Sequence, residues 1–337
     1  MRAMQLARPA AIDGSPLAAV ERATPEPGPG ELLVRVSACG ICRTDLHIVE
    51  GELPLVRAPV VPGHQVIGRV ERGGRDARRF RPGDRIGIAW LRATCGQCAS
   101  CRRGRENLCP TAQFTGYHAD GGYAEYALVP EDFAYAIPDA FGDAAAAPLL
   151  CAGIIGYRAL RLAAVPAGGT LGIYGFGSSA HITLQVAHAR GARVFVCTRQ
   201  PGHRRLALTL GAAWAGDIPD AMPELADGII VFAPAGELVP IALDNLAPGG
   251  TLSLAGIYMT PLPALEYARI YRERTIRSVT ANTRIDGEEL LEAAARIPIR
   301  PAVTTFPLAE ANRALQLLKR GRIEGSGVLV VGGSSGV

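Results

Sequence analysis

Cys95, Cys98, Cys101 and Cys109 stand in the spacing C-x2-C-x2-C-x7-C, which puts four thiols on one short excursion of chain. No other feature restricts the backbone so much. A tetrahedral Zn²⁺ needs four close ligands, and x2 spacings turn neighbouring sulfurs towards one ion while Gly96 and Gly104 relieve the backbone between them. Four protein ligands leave no coordination position for a substrate, so the spacing predicts a structural zinc site. An iron–sulfur cluster also takes closely spaced cysteines, but the spacing departs from the ferredoxin run. Thiols that bind nothing are the remaining reading.

A second constellation is scattered. Cys39-Gly40-Ile41-Cys42-Arg43-Thr44-Asp45-Leu46-His47 precedes the cluster, Gly63-His64-Gln65 follows closely, and Leu150-Cys151-Ala152-Gly153 comes much later. A thiolate, an imidazole and a second thiolate from separate loops give three protein ligands and an open fourth position, as catalytic zinc requires. By chemistry alone Cys39 and Cys42 are equally eligible. Taken singly, Cys39-x-x-Cys42 reads as a redox pair, His64 as a loop histidine and Cys151 as a core cysteine. Their presence beside a zinc-type cluster and a nucleotide-binding unit makes the metal reading the stronger.

At 337 residues the chain has the length of two domains. Its first part reads as short strands at 32–36, 66–71, 85–89 and 123–129, separated by turn signals such as Pro27-Gly28-Pro29-Gly30 and Arg81-Pro82-Gly83-Asp84. From Thr170 the pattern changes to short apolar runs, 170–174, 193–197, 228–232 and 251–255, alternating with helical stretches at 180–189 and 204–210. That alternation predicts an α/β fold with a doubly wound parallel sheet. Two more helices, 288–296 and 309–320, and a strand at 328–331 are expected to pack onto the first domain. Gly332-Gly333-Ser334-Ser335-Gly336 reads as a flexible end without function.

After the strand 170–174 comes Gly175-Phe176-Gly177-Ser178-Ser179-Ala180, a G-x-G-x-x-A sequence opening a helix. Gly175 permits a tight turn, Gly177 lets the backbone approach a pyrophosphate, and Ala180 allows helix and strand to pack closely. With 40 glycines in the chain some such patterns arise by chance, and the strand–loop–helix setting is what gives this one weight. At the end of the next strand, where NAD-binding domains carry an Asp or Glu for the ribose 2′-hydroxyl, stand Thr198 and Arg199. A cation there suits a 2′-phosphate, with Arg204 or Arg205 as a second, so NADP(H) is expected in preference to NAD(H).

The formal net charge of +4 comes from scattered basic residues, all but Lys319 arginine, without the stripe that nucleic acid requires. The first residues lack an export signal, and no apolar run approaches the roughly 20 residues of a membrane span. Eight cysteines in such a chain suggest metal or catalytic thiols in a reducing compartment, and a cytoplasmic location is expected.

In motif order the chain resembles the zinc-containing medium-chain dehydrogenase/reductase family over residues 1–331. The family pattern G-x-C-x-[ST]-D-x-x-H selects Cys42 over Cys39, so the resemblance implies a catalytic zinc held by Cys42, His64 and Cys151, and thus two zinc ions per chain. It further implies that the Thr44 hydroxyl contacts the substrate oxygen, that His47 ends a proton relay, that Asp45 supports His64, that Arg43 faces the cofactor pyrophosphate and that Trp90 walls the substrate pocket. The roles agree with the chemistry. Zinc acidifies an alcohol, a hydroxyl can only pass the proton on, and an imidazole with an ordinary pKa near 6.5 can take it. A carboxylate on the free N–H of His64 fixes its tautomer. Two departures stand out: Gln65 where many relatives carry Glu, and Ile155-Gly156 where many carry Thr.

The expected protein is therefore a zinc-dependent alcohol dehydrogenase acting on a small alcohol or aldehyde, as a homodimer or homotetramer. A GroES-like catalytic domain at 1–152 and 285–337 would flank a Rossmann domain at 153–284, with the active site in the cleft. A zinc-stabilised nucleotide-binding protein without turnover and a reductase of activated C=C bonds are the alternatives, and the set Cys42, Thr44, His47, His64 and Cys151 argues against both.

Overall fold

A computed structural model describes residues 1–218 and 220–332. The expected glycine- and serine-rich end lies, beyond Gly332, outside the described residues. The chain divides into two units, one formed by Met1–Cys151, Asn282–Glu292 and the stretch from Pro301, the other by Ala152–Ala281 and Ala293–Arg300.

The first unit is organised by Glu31–Ile41, an 11-residue strand with Leu32, Leu33, Val34, Val36 and Ala38 to Ile41 buried. One edge pairs antiparallel with Gln65–Gly73. The other takes two partners in succession, Tyr126–Pro130 along residues 31–35 and Ser326–Val330 along 38–41. Register shifts between Leu33 and Val34 and between Val36 and Ala38 bend the strand as it passes from one partner to the next. The strand is longer than the apolar run 32–36 suggests because a segment nearly 300 residues later completes its pairing. The run expected at 123–129 forms a strand only from Tyr126, since Tyr123 accepts the Met4 amide at 2.8 Å and Ala124 bridges Ala3. Arg2–Leu6 and Leu17–Glu21 form a hairpin ladder that the sequence reading did not anticipate.

The second unit carries a wholly parallel six-stranded sheet in the order Trp214–Gly216, Arg193–Cys197, Thr170–Tyr174, Ala226–Val231, Leu246–Leu254, Thr275–Ser278. This is the expected doubly wound sheet. Its inner strands are buried on both faces, as their continuous apolar runs require, with Leu171, Ile173, Val194, Val196, Ile229, Ile230 and Val231 without exposed surface. The two edge strands escaped the sequence reading because one is three residues long and the other mostly exposed. Strand order reverses at Thr170–Tyr174, and the crevice at the carboxyl ends of strands at such a switch point is where α/β sheets bind ligands. The helices Ala152–Ala163 and Ser178–Ala189 pack closely because residue 156 is glycine: a Cβ there would stand 2.1 Å from Thr183 Oγ1.

His64 sits on a turn clamped by backbone. Gly121 donates to the Val61 carbonyl at 2.7 Å, Gly122 to Gly63 at 2.9 Å and Tyr123 to Pro62 at 3.0 Å, so residues 121–123 line up against 61–63. The approach tolerates no side chain, since a Cβ on Gly121 would lie 2.0 Å from the Gly63 carbonyl oxygen. Gly121→Ala is therefore expected to lower the stability of this unit by about 1–3 kcal/mol in denaturant titration. Gly14→Ala, at an exposed position where a Cβ meets nothing within 4 Å, serves as the control and is expected to stay within about 0.5 kcal/mol of wild type.

Candidate metal centres and cofactor loop

The bent strand ends at Ile41, and Cys42 caps the helix Arg43–Glu50 that follows. His64 precedes the neighbouring strand, and Cys151 lies at the junction of the 3₁₀ turn Ala147–Leu150 and the helix Ala152–Ala163. These separate places converge. His64 Nε2 lies 3.4 Å from Cys42 Sγ and 3.3 Å from Cys151 Sγ, and all three donor atoms fall within 4.8 Å of one another. Around a tetrahedral zinc with ordinary bond lengths, a sulfur–nitrogen edge is about 3.5 Å. The donor set fits zinc. Cys39 stays out of it: fully buried, its sulfur packs by Gly63 and Gly122. Two cysteines equally eligible by chemistry are thus separated by the strand's alternation and the helix start.

Asp45, with no exposed surface, orients the set. One carboxylate oxygen faces His64 Nδ1 at 3.1 Å and the other accepts the Cys42 amide at 2.9 Å, so one side chain fixes the ring's tautomer and the helix start together. Burial by itself pushes the His64 imidazolium down, but the charges of Asp45 and Cys42 and its bonds to them outweigh that and raise it to about 10. Cys42 is raised, first by its hydrogen bond with Cys151 and then by burial. Such crowded donors hold their protons in competition with one another, and a divalent cation among them reverses the balance by favouring thiolate and neutral imidazole.

Around the set, Trp90 lays its edge on His64 with ring centroids 4.8 Å apart and stacks on Phe114 at 4.8 Å and Tyr117 at 6.0 Å. Gln65 is buried with its amide nitrogen unpartnered and Gly40 pressed against it. Thr44 and His47, three residues apart, share a face of the helix Arg43–Glu50, and Arg43 is exposed on its first turn. The buried His47 meets Glu52 through Nδ1. Glu52 was missed by the sequence reading, as were Phe114 and Tyr117. Its signal lies in Gly51, whose left-handed backbone at φ +82 ends the helix and turns the chain back so that Leu53 donates to the His47 carbonyl at 3.1 Å.

The four-cysteine cluster also closes. Cys109 and Cys95 sulfurs are 3.6 Å apart and those of Cys95 and Cys101 4.0 Å, against about 3.8 Å for the edge of a zinc–thiolate tetrahedron. Backbone amides point at the sulfurs: Cys95 at Cys109 Sγ (3.4 Å), Cys98 at Cys95 Sγ (3.3 Å) and Cys101 at Cys98 Sγ (3.5 Å). Amide and Thr111 hydroxyl contacts pull the Cys109 thiol down to about 6. Such donors favour thiolates over thiols.

In the other unit, Gly175 adopts φ +84 immediately after the strand Thr170–Tyr174, and a Cβ there would crowd the Ala233 amide at 3.0 Å. Gly177 faces open space, and Ala180 is fully buried. At the end of the next strand, Thr198 is buried and donates its amide to the Gly216 carbonyl at 3.0 Å, while Arg199 is exposed. Arg204 is committed to the same loop, donating to the Thr198 carbonyl at 2.9 Å and pairing with Asp217 at 3.3 Å.

Residues 28–139 match the model of the alcohol dehydrogenase GroES-like domain, and residues 179–296 that of zinc-binding dehydrogenases. The chain is 51% identical to a probable alcohol dehydrogenase, AdhA, of Mycobacterium tuberculosis, across 98% of this chain and 97% of that one. A cinnamyl alcohol dehydrogenase from Sorghum bicolor superposes with a TM-score of 0.90 at 29% identity, covering 99% and 98% of the two chains. An acetophenone reductase from Geotrichum candidum in complex with NAD gives 0.88 at 27% identity, covering 98% and 96%. With two cysteine-based donor sets in a GroES-like unit and a parallel sheet carrying a dinucleotide loop, the chain belongs to the zinc-type medium-chain alcohol dehydrogenases.

Proposed function

We propose that this alcohol dehydrogenase is zinc-dependent and transfers hydride between NADP(H) and a small alcohol or aldehyde. The carrying observation is the convergence of Cys42, His64 and Cys151, a set of three donors among the described residues, beside a separate cluster of four. Three donors leave a place for a substrate oxygen, and four leave none. A zinc ion held by the first set supplies the Lewis acid that lowers the pKa of that oxygen, as the dinucleotide supplies the hydride acceptor. Cys95, Cys98, Cys101 and Cys109 hold the second, structural ion.

The chain's own side chains account for the proton. The Thr44 hydroxyl receives it from the substrate oxygen and, being only a conduit, passes it on. His47 takes it, and Glu52 meets the ring at Nδ1 and holds its orientation. Asp45 keeps His64 in the tautomer that presents Nε2 to the sulfurs. Trp90 bounds the substrate pocket, and its stack on Phe114 and Tyr117 makes that wall stiff. Gly175, Gly177 and Ala180 of the cofactor loop serve the pyrophosphate.

We read residues 1–152 and 285–337 as the catalytic domain and 153–284 as the cofactor domain. A homodimer or homotetramer is supported by the largely exposed Tyr267 and Tyr271 and by the open edge strand Thr275–Ser278. Free cysteines, the only kind among the described residues, support a reducing, cytoplasmic setting.

Metal analysis of the purified protein is expected to give two zinc ions per chain, and one after Cys42→Ala. A single ion in the wild type that survives Cys42→Ala means that only the structural site exists. His47→Ala is expected to slow alcohol oxidation by about 10²-fold near neutral pH and far less at high pH, where hydroxide substitutes for the lost base. An unchanged pH–rate profile removes His47 from the relay. For the cofactor, Arg199 offers charge-assisted bonds of about 1.5–3 kcal/mol each, so kcat/KM is expected to favour NADPH over NADH by tenfold or more. Arg199→Ala is expected to erase most of that ratio; a wild-type preference for NADH, or a ratio unmoved by the substitution, contradicts the assignment.

A further inference from the structure

The helix Ser178–Ala189 opens on Gly177, which has no side chain to cap the first turn. A Ser, Thr or Asp in that place would bond the amide of the second or third helical residue, and those are the amides an anion must reach. Glycine brings no side-chain oxygen to occupy the first-turn amides.

Support for this turn comes from within the unit. His181 has no exposed surface, and its Nδ1 lies 3.3 Å from the Gly177 carbonyl oxygen, which also accepts the His181 amide at 3.1 Å. Burial pushes the imidazole down to about 4, against the upward pull of its contacts with the Gly177 and Ser178 backbone, so the ring is neutral at pH 7. A neutral ring donates to that carbonyl only with its proton on Nδ1. One turn further, Gln185 donates to the His181 carbonyl at 2.9 Å and accepts the Arg300 amide at 2.8 Å, anchoring the same helix face.

We propose that His181 is a positioning residue for dinucleotide binding, donating from Nδ1 to the Gly177 carbonyl and so holding the first-turn amides in the orientation a pyrophosphate needs. This rests on the dinucleotide reading of the loop given above. The pyrophosphate is common to NADP(H) and NAD(H), so the contribution of His181 is the same for both, unlike that of Arg199.

The test measures Kd for NADPH and NADH by fluorescence titration of the reduced nicotinamide in wild type, His181→Leu, His181→Phe and His181→Asn, with thermal unfolding alongside. Asn carries an N–H donor close to where Nδ1 stands, Leu matches its size without the donor, and Phe keeps the ring's bulk alone. His181→Leu and His181→Phe are expected to weaken both cofactors by one common factor of roughly five to ten. His181→Asn is expected to bind within about twofold of wild type, and kcat at saturating cofactor to change little in all three. If one apolar variant does not fold, the other carries the comparison with Asn. Wild-type affinity in a folded apolar variant overturns the proposal, whatever its melting temperature, and so does an equal loss in the Asn variant or a loss confined to one cofactor. A wild-type protein that binds neither dinucleotide overturns the reading of the loop instead.

Discussion

A carboxylate with no exposed surface, Asp45, holds a histidine with none, and the candidate catalytic centre is built outward from that pair. A charge so buried is costly unless every lone pair finds a partner. Here the Cys42 amide and His64 take the carboxylate oxygens, and the His64 ring is thereby turned so that Nε2 faces the two sulfurs. The surrounding backbone serves that arrangement. Glycines at 63, 116, 121 and 122 let two chain segments press together without side chains between them, and the His64 turn cannot drift.

The two thiol sets illustrate how one ligand chemistry serves different ends. The four-cysteine cluster is gathered by short spacings and by amides pointed at sulfur, so the excursion of chain folds about itself. The three-donor set is gathered from residues 42, 64 and 151 by the sheet and the helices around it. A local set needs little besides its own loop. A dispersed one needs a packed unit, and in exchange its ligand number and its surroundings, Trp90 and Gln65 among them, are set by the fold.

The cofactor loop follows a related economy. A glycine at the helix start brings no side-chain oxygen to the first-turn amides, and a buried neutral histidine steadies the same peptide from the core side. Arg204 departs from the role the sequence suggested for it. Its guanidinium, at the start of a helix where the dipole disfavours a cation, is held by the Thr198 carbonyl and by Asp217, whereas Arg199 remains exposed. Counting arginines near a strand end does not reveal which are already engaged.

From the sequence alone came the doubly wound sheet, because strands buried on both faces must be continuously apolar, and the glycine loop, because the left-handed backbone of Gly175 after the strand disfavours other residues. The four-cysteine spacing was legible for the same local reason: covalent connection keeps those ligands together. Resemblance to a family, and not spacing, singled out Cys42 from Cys39. Only the tertiary structure separated them physically, by burying one sulfur among glycines and turning the other to His64 and Cys151. It likewise brought Ser326–Val330 onto the end of Glu31–Ile41, put Glu52 on His47 and stacked Phe114 and Tyr117 on Trp90. These contacts depend on where distant segments cross and how their side chains face each other, information carried by packing of the whole unit and by no short window of residues.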